Sequence, residues 1–90
     1  MNMKNKIKEF TSVGNIEISD LSLVSALAGC LGFSILEIKA EPNEYPKVKF
    51  VFERSEKLEE TITKFWNGSL LVEPKSYWSA IRELKSRIRS

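Results

Sequence analysis

Apolar positions along the chain change period several times, and each change marks an element. Ile16-Glu17-Ile18 alternates like a short strand, after a Gly14-Asn15 turn signal. Leu23, Val24, Leu27 and Leu31 then follow helical spacing, which predicts a helix over 21–31. Asp20 or Ser19 is placed to cap its start, and Gly32 to end it in a left-handed turn. Its other side carries Ser22, Ser25, Ala26 and Gly29, small enough either to admit another element closely or to form a partly exposed flank. Residues 33–39, FSILEIK, are rich in β-branched and aromatic residues and predict a second strand. Phe33 and Ile35 point one way along it, Leu36 and Ile38 the other.

A breaker-rich loop, EPNEYP over 41–46, leads into KVKFVFE over 47–53. There Val48, Phe50 and Phe52 alternate with Lys49, Val51 and Glu53, the pattern of a half-buried strand. The two strands should pair as an antiparallel hairpin. Ser55 caps a second helix whose core face is Leu58, Ile62, Phe65 and Trp66, and Glu60 and Lys64 are an i,i+4 pair on its wet face. Asn67-Gly68 ends that helix, and Leu70-Leu71-Val72 is expected to be a buried connection. Pro74 suits the first position of a third helix running to about Arg89. The order is β-α-β-β-α-α. It predicts an α+β domain, a small antiparallel sheet of two to three strands packed by three helices. Residues 1–8, MNMKNKIK, are expected to be a basic mobile tail, and residues 9–90 the single domain.

Composition removes whole classes of chemistry. The ninety residues include no histidine and one cysteine, Cys30. A Ser-His or Cys-His nucleophile, a His-ligated zinc and an internal disulfide are therefore impossible within this sequence. Cys30 lies on an apolar helix and is expected to be a buried, inert thiol, in keeping with a reducing, cytoplasmic compartment. No apolar stretch approaches the length of a membrane span. Glu56, Glu59 and Glu60 fall in the first turns of a helix, where they complement its dipole more simply than they bind a cation. Glu41 and Glu44 lack the ligand spacing of a calcium loop. No Gly-rich loop is placed to cradle a phosphate. The expectation is a non-enzymatic protein without metal or cofactor.

Charge is unevenly spread. Residues 1–8 carry Lys4, Lys6 and Lys8 with no acid, and residues 9–74 carry eleven carboxylates against six cations. Residues 75–90 carry five cations against Glu83 alone. On the third helix Leu84, Tyr77, Ile88 and Ile81 form the predicted core stripe. Beside it, Lys75, Trp78, Arg82, Lys85 and Arg89 share a basic stripe with an aromatic inside it, while Arg87 sits apart, four residues after Glu83, as a helix pair. Cations that neutralise phosphates and a plane that stacks a base are what a polyanion binder needs. The same stripe has an ordinary explanation in dipole complement and boundary packing, with an Arg laid across the Trp. Phe65 and Trp66, at the end of an amphipathic helix, are expected in the core rather than as a stacking pair.

The second half resembles a known family. The residues that carry the likeness are 47–53, Phe65-Trp66-Asn67-Gly68, Val72-Glu73-Pro74, Tyr77, Ala80-Ile81-Arg82 and Leu84-Lys85-Ser86-Arg87-Ile88, with Ser19-Asp20-Leu21 and Leu31-Gly32-Phe33 upstream. The chain is similar in these to a small domain family of bacterial and bacteriophage genomes, known only as a domain of unknown function. The resemblance implies a small stand-alone domain and transfers no functional residue. Two functional readings follow from the residues themselves. One is a nucleic-acid accessory protein with the basic third helix and Lys4, Lys6 and Lys8 as its contact surface. The other is a protein-interaction module, either a homodimer formed through exposed sheet edges or the small-residue helix face, or a phage-type inhibitor of an acidic protein partner.

Overall fold

In a computed structural model, residues 14–40 and 48–89 are described. Strand β1 (Asn15–Ile18) is followed by α1 (Leu21–Val24), which passes directly into a π-helical segment, Ser25–Cys30. Strands β2 (Glu37–Ala40) and β3 (Val48–Glu53) come next, then α2 (Glu56–Trp66) and α3 (Pro74–Arg89). The chain is an α+β fold in the expected order β-α-β-β-α-α, with a three-stranded antiparallel sheet ordered β1-β3-β2. Residues 1–13, with the tail lysines, and residues 41–47, with the breaker-rich loop, lie outside the described residues.

Both anticipated helix starts are capped as the side chains allow. Asp20 accepts the Leu23 N–H at 3.1 Å, and Ser55 accepts the Leu58 N–H at 3.1 Å. Gly32 and Gly68 both lie at φ 81°, a region that a Cβ disfavours, so each can turn the chain out of a helix. The core gathers on one face of the sheet: Ile18, Phe50 and Phe52 from the strands, Leu23, Val24 and Leu27 from the first helical segment, Leu58 from α2 and Leu84 from α3.

The first helix departs from the expected single α-helix. The Leu31 N–H bonds to the Ala26 carbonyl at 3.1 Å, an i→i+5 closure, and the Phe33 N–H reaches the Leu27 carbonyl at 3.0 Å. The wider turn carries Leu31 off the face that Leu27 occupies, so Leu31 is exposed rather than core. The small-residue side is partly covered from within the chain. Ser25 and Ala26 are buried, and a Cβ at Gly29 would overlap the Ala80 Cβ of α3. Both expectations for this side are met in part: α3 approaches closely at Gly29, while Ser22 and Gly29 keep exposed surface.

The second strand is shorter than expected. Residues 33–36 lie outside it, and the Phe33 N–H is spent on the helix end. The Leu36 N–H bonds the Val51 carbonyl at 2.7 Å, yet Glu37 is the register partner of Val51. Two residues thus oppose one, a bulge that marks where the ladder begins. Strand β3 is not half-buried either: Val51, on its polar-facing side, is only 4% exposed. As the central strand it is flanked on both sides, and Glu17 and Glu37 stand directly across from Val51. Lys39 and Lys49 are also register partners, and Glu17 meets Lys39 at 2.7 Å, which offsets that like-charge contact. The Lys39 ammonium, and to a lesser degree Lys49, holds the Glu17 carboxyl below its ordinary range.

Candidate nucleic-acid interface

The path from α2 into α3 decides what the third helix shows to solvent. Asn67 closes α2, and its Oδ1 accepts both the Ser69 N–H (3.0 Å) and the Ser69 hydroxyl (2.6 Å). The Ser69 and Leu70 N–H groups fold back onto the Lys64 carbonyl at 3.0 and 3.2 Å. This fixes the exit direction. It also overturns the expectation of a buried connection, because Leu71 is 88% exposed while Leu70 and Val72 are half-buried. Trp66 is likewise exposed. Phe65 alone of that pair packs on the core, and the Trp66 ring meets it edge-on with centroids 5.0 Å apart.

Helix α3 starts on a glutamate cap that the hydrophobic pattern does not signal. The Glu73 carboxylate accepts the Lys75 N–H (3.1 Å), the Ser76 N–H (2.7 Å) and the Ser76 hydroxyl (2.8 Å). These bonds, the Lys75 N–H foremost, hold its carboxyl below the usual glutamate range. A depressed folded value stabilises the fold above the ordinary glutamate range, and that contribution is lost as pH falls through the lowered value. Thermal melts across an acid series should therefore show a falling limb that Glu73→Gln makes shallower. An unchanged limb would mean the cap bonds do not persist in solution.

The buried side of α3 is set by Ala80 and Leu84, with Ile88 half-buried against the core and the Tyr77 hydroxyl donating to the Ser22 carbonyl at 3.2 Å. The predicted core stripe of Leu84, Tyr77, Ile88 and Ile81 is present, but its centre is shifted toward Ala80. Alanine carries little hydrophobic signal, and only the Gly29 contact reveals why it must be small.

With that side buried, Lys75, Trp78, Arg82 and Lys85 all lie exposed, and Trp78 keeps 60% of its surface in solvent. Arg89 closes the helix, and its side chain lies outside the described residues. Residues 75, 78, 82 and 85 are three or four apart, so they run along one flank of the helix. Trp78 also borders an open groove between the π segment and α3, lined by Gly29, Lys75, Ser76, Ser79 and Glu83. The ion pairs among the described residues are Glu17–Lys39 and Arg54–Glu59 (3.0 Å). Lys75, Arg82 and Lys85 therefore have no carboxylate within ion-pair distance among the described residues. The expected Glu83–Arg87 and Glu60–Lys64 pairs do not close, because these exposed side chains gain little from doing so. Arg54–Glu59 spans a loop–helix junction that helical spacing does not flag.

The rest of the surface offers little chemistry. Among the described residues, no three His, Cys, Asp or Glu side chains stand together as metal ligands, and no helix is long and apolar enough to cross a membrane. Cys30 is half-buried, and desolvation first, then the Glu73 charge, pushes its thiol up, away from the reactive thiolate.

The fold and this surface define a small α+β domain whose third helix is seated by small-residue contact and shows a basic, aromatic flank. The chain belongs to the family described as Domain of unknown function (DUF5659), whose profile matches residues 13–90. No curated protein and no solved structure matches it.

Proposed function

We propose that this protein is a non-enzymatic binding module that takes nucleic acid with unpaired bases on the exposed flank of α3. The observation that carries the reading is Trp78, 60% exposed among Lys75, Arg82 and Lys85, which have no carboxylate partner among the described residues. Like charges at this spacing cost helix stability. Phosphates laid along the flank would relieve that cost and release counterions. A solvent-facing indole offers a stacking plane to a splayed base. The roles divide accordingly, with Trp78 stacking and Lys75, Arg82 and Lys85 contacting phosphate. The reading sets this in the cytoplasm, where an unpaired thiol persists.

Binding to labelled single- and double-stranded DNA and RNA across a salt series tests the proposal. Single strands should bind best. If Lys75, Arg82 and Lys85 each meet a phosphate, log affinity should fall with log salt at a slope of about −2. The double variant Arg82→Ala/Lys85→Ala should flatten that slope by about 1.4 and leave the thermal melt nearly unchanged. Absence of binding at low salt ends the nucleic-acid reading. A second reading, an acidic protein partner, rests on Leu71 at 88% and Trp66 at 61% exposure, since a phosphate backbone has no use for exposed apolar side chains. That partner would bind the wild type with dependence on Leu71 as well as on Arg82.

A further inference from the structure

Among the described residues, strand β2 is an edge, hydrogen-bonded to β3 on one side only. Two of its neighbourhood's apolar side chains are left uncovered, Leu36 at 53% and Ile38 at 38% exposure. Ile38 is the register partner of Phe50, and Phe50 that of Ile18. Ile18, Phe50 and Ile38 are therefore one row across the core face of the sheet, and the row stops abruptly at Ile38. On the opposite face of β2 stand Glu37 and Lys39, one on each side of Ile38.

From this arrangement we propose that the β2 edge pairs with the β2 edge of a second copy, antiparallel, about a two-fold axis at Ile38. The charge pattern selects this occupant. In that register Glu37 of each copy faces Lys39 of the other, giving two opposite-charge cross-strand pairs, while Ile38 meets Ile38. The core-face row then continues through both sheets without an end. A lysine on an edge strand ordinarily discourages pairing. Here it meets a carboxylate in the only partner that carries the same strand reversed. The added carboxylate also lies beside the Lys39–Lys49 register pair. The other edge lacks this property. Strand β1 reads Asn15-Ile16-Glu17-Ile18, and its self-pairing sets either Asn15 opposite Glu17 or Glu17 opposite Glu17. Pairing through β2 is isologous and closes as a dimer, whereas β1-to-β2 pairing would run on as an open chain.

Sedimentation equilibrium of the full chain over a range of protein concentrations reads the outcome. The wild type is expected to be a reversible dimer. Glu37→Lys sets like charges opposite each other twice per dimer and should raise the dissociation constant roughly tenfold or more. Glu37 is exposed, so this variant should fold, and circular dichroism on dilute protein checks that it does. Ile38→Lys should abolish association. The double reversal Glu37→Lys/Lys39→Glu restores opposite charges across the axis and should recover it. A wild type that stays monomeric at the highest concentration overturns the proposal, and so does a dimer that Glu37→Lys and Ile38→Lys leave intact.

Discussion

Replacing Phe50 by alanine is expected to cost about 3–5 kcal/mol and to leave much of the protein unfolded under mild denaturing conditions. The ring is fully buried at the middle of the central strand, with Ile18 and Ile38 as its cross-strand partners. Leu23, Val24, Leu27, Leu58 and Leu84 belong to the same core cluster. All three helices thus contribute side chains to the cluster that holds this ring, so truncating it loosens every layer at once. A domain of ninety residues has roughly 5–13 kcal/mol of stability to lose. Leu71→Ala is the matched control, because an 88% exposed leucine should shift stability by no more than about 0.5 kcal/mol. Urea melts of the two variants read the difference. Equal costs would mean that the core lies elsewhere.

Gly29→Ala is expected to be the most damaging single-methyl addition, at about 1–3 kcal/mol. The new Cβ would overlap the Ala80 Cβ, and neither atom is the end of a flexible side chain that could swing aside. Alanine would otherwise favour a helix over glycine, so the sign of the effect isolates the contact from propensity. Ala80→Gly should cost about 1 kcal/mol alone, from helix propensity. In the Gly29→Ala background it should instead recover stability, because it removes the atom that the new methyl strikes. A double-mutant cycle by chemical denaturation measures that coupling. Strictly additive costs would show that α3 is not seated on the π segment in the way described. The contact bears on the proposed function because it fixes how α3 is seated, and hence which flank of that helix faces solvent.

The order of elements could be read from periodicity because each strand and helix keeps its own period over enough residues. The basic flank of α3 was legible for the same reason, since one helix with a clear apolar stripe determines its own opposite side. What could not be read depended on neighbours. Burial of Val51 follows from β3 being central, and strand order is not written in one strand's alternation. Gly29, in the π segment, lies against Ala80, fifty-one positions away, a contact that local spacing does not carry; that spacing alone predicts an ordinary helix with Leu31 in the core. Helical spacing with Leu58, Ile62 and Phe65 places Trp66 inside, and apolar character places Leu71 there, yet both are exposed. The turn that Asn67 and Gly68 make sent the chain the other way. Glu73 does not read as a cap from the sequence because glutamate is an uncommon N-cap residue.

The chain has two tryptophans, so Trp66→Phe leaves Trp78 as the only indole. Titrating that variant with a single-stranded oligonucleotide at low salt, and following the indole emission, tests the α3 surface most directly. The account predicts saturable quenching as a base stacks on Trp78, reversed when salt is raised. Emission that stays constant through the titration, whether or not the oligonucleotide binds elsewhere, would contradict it.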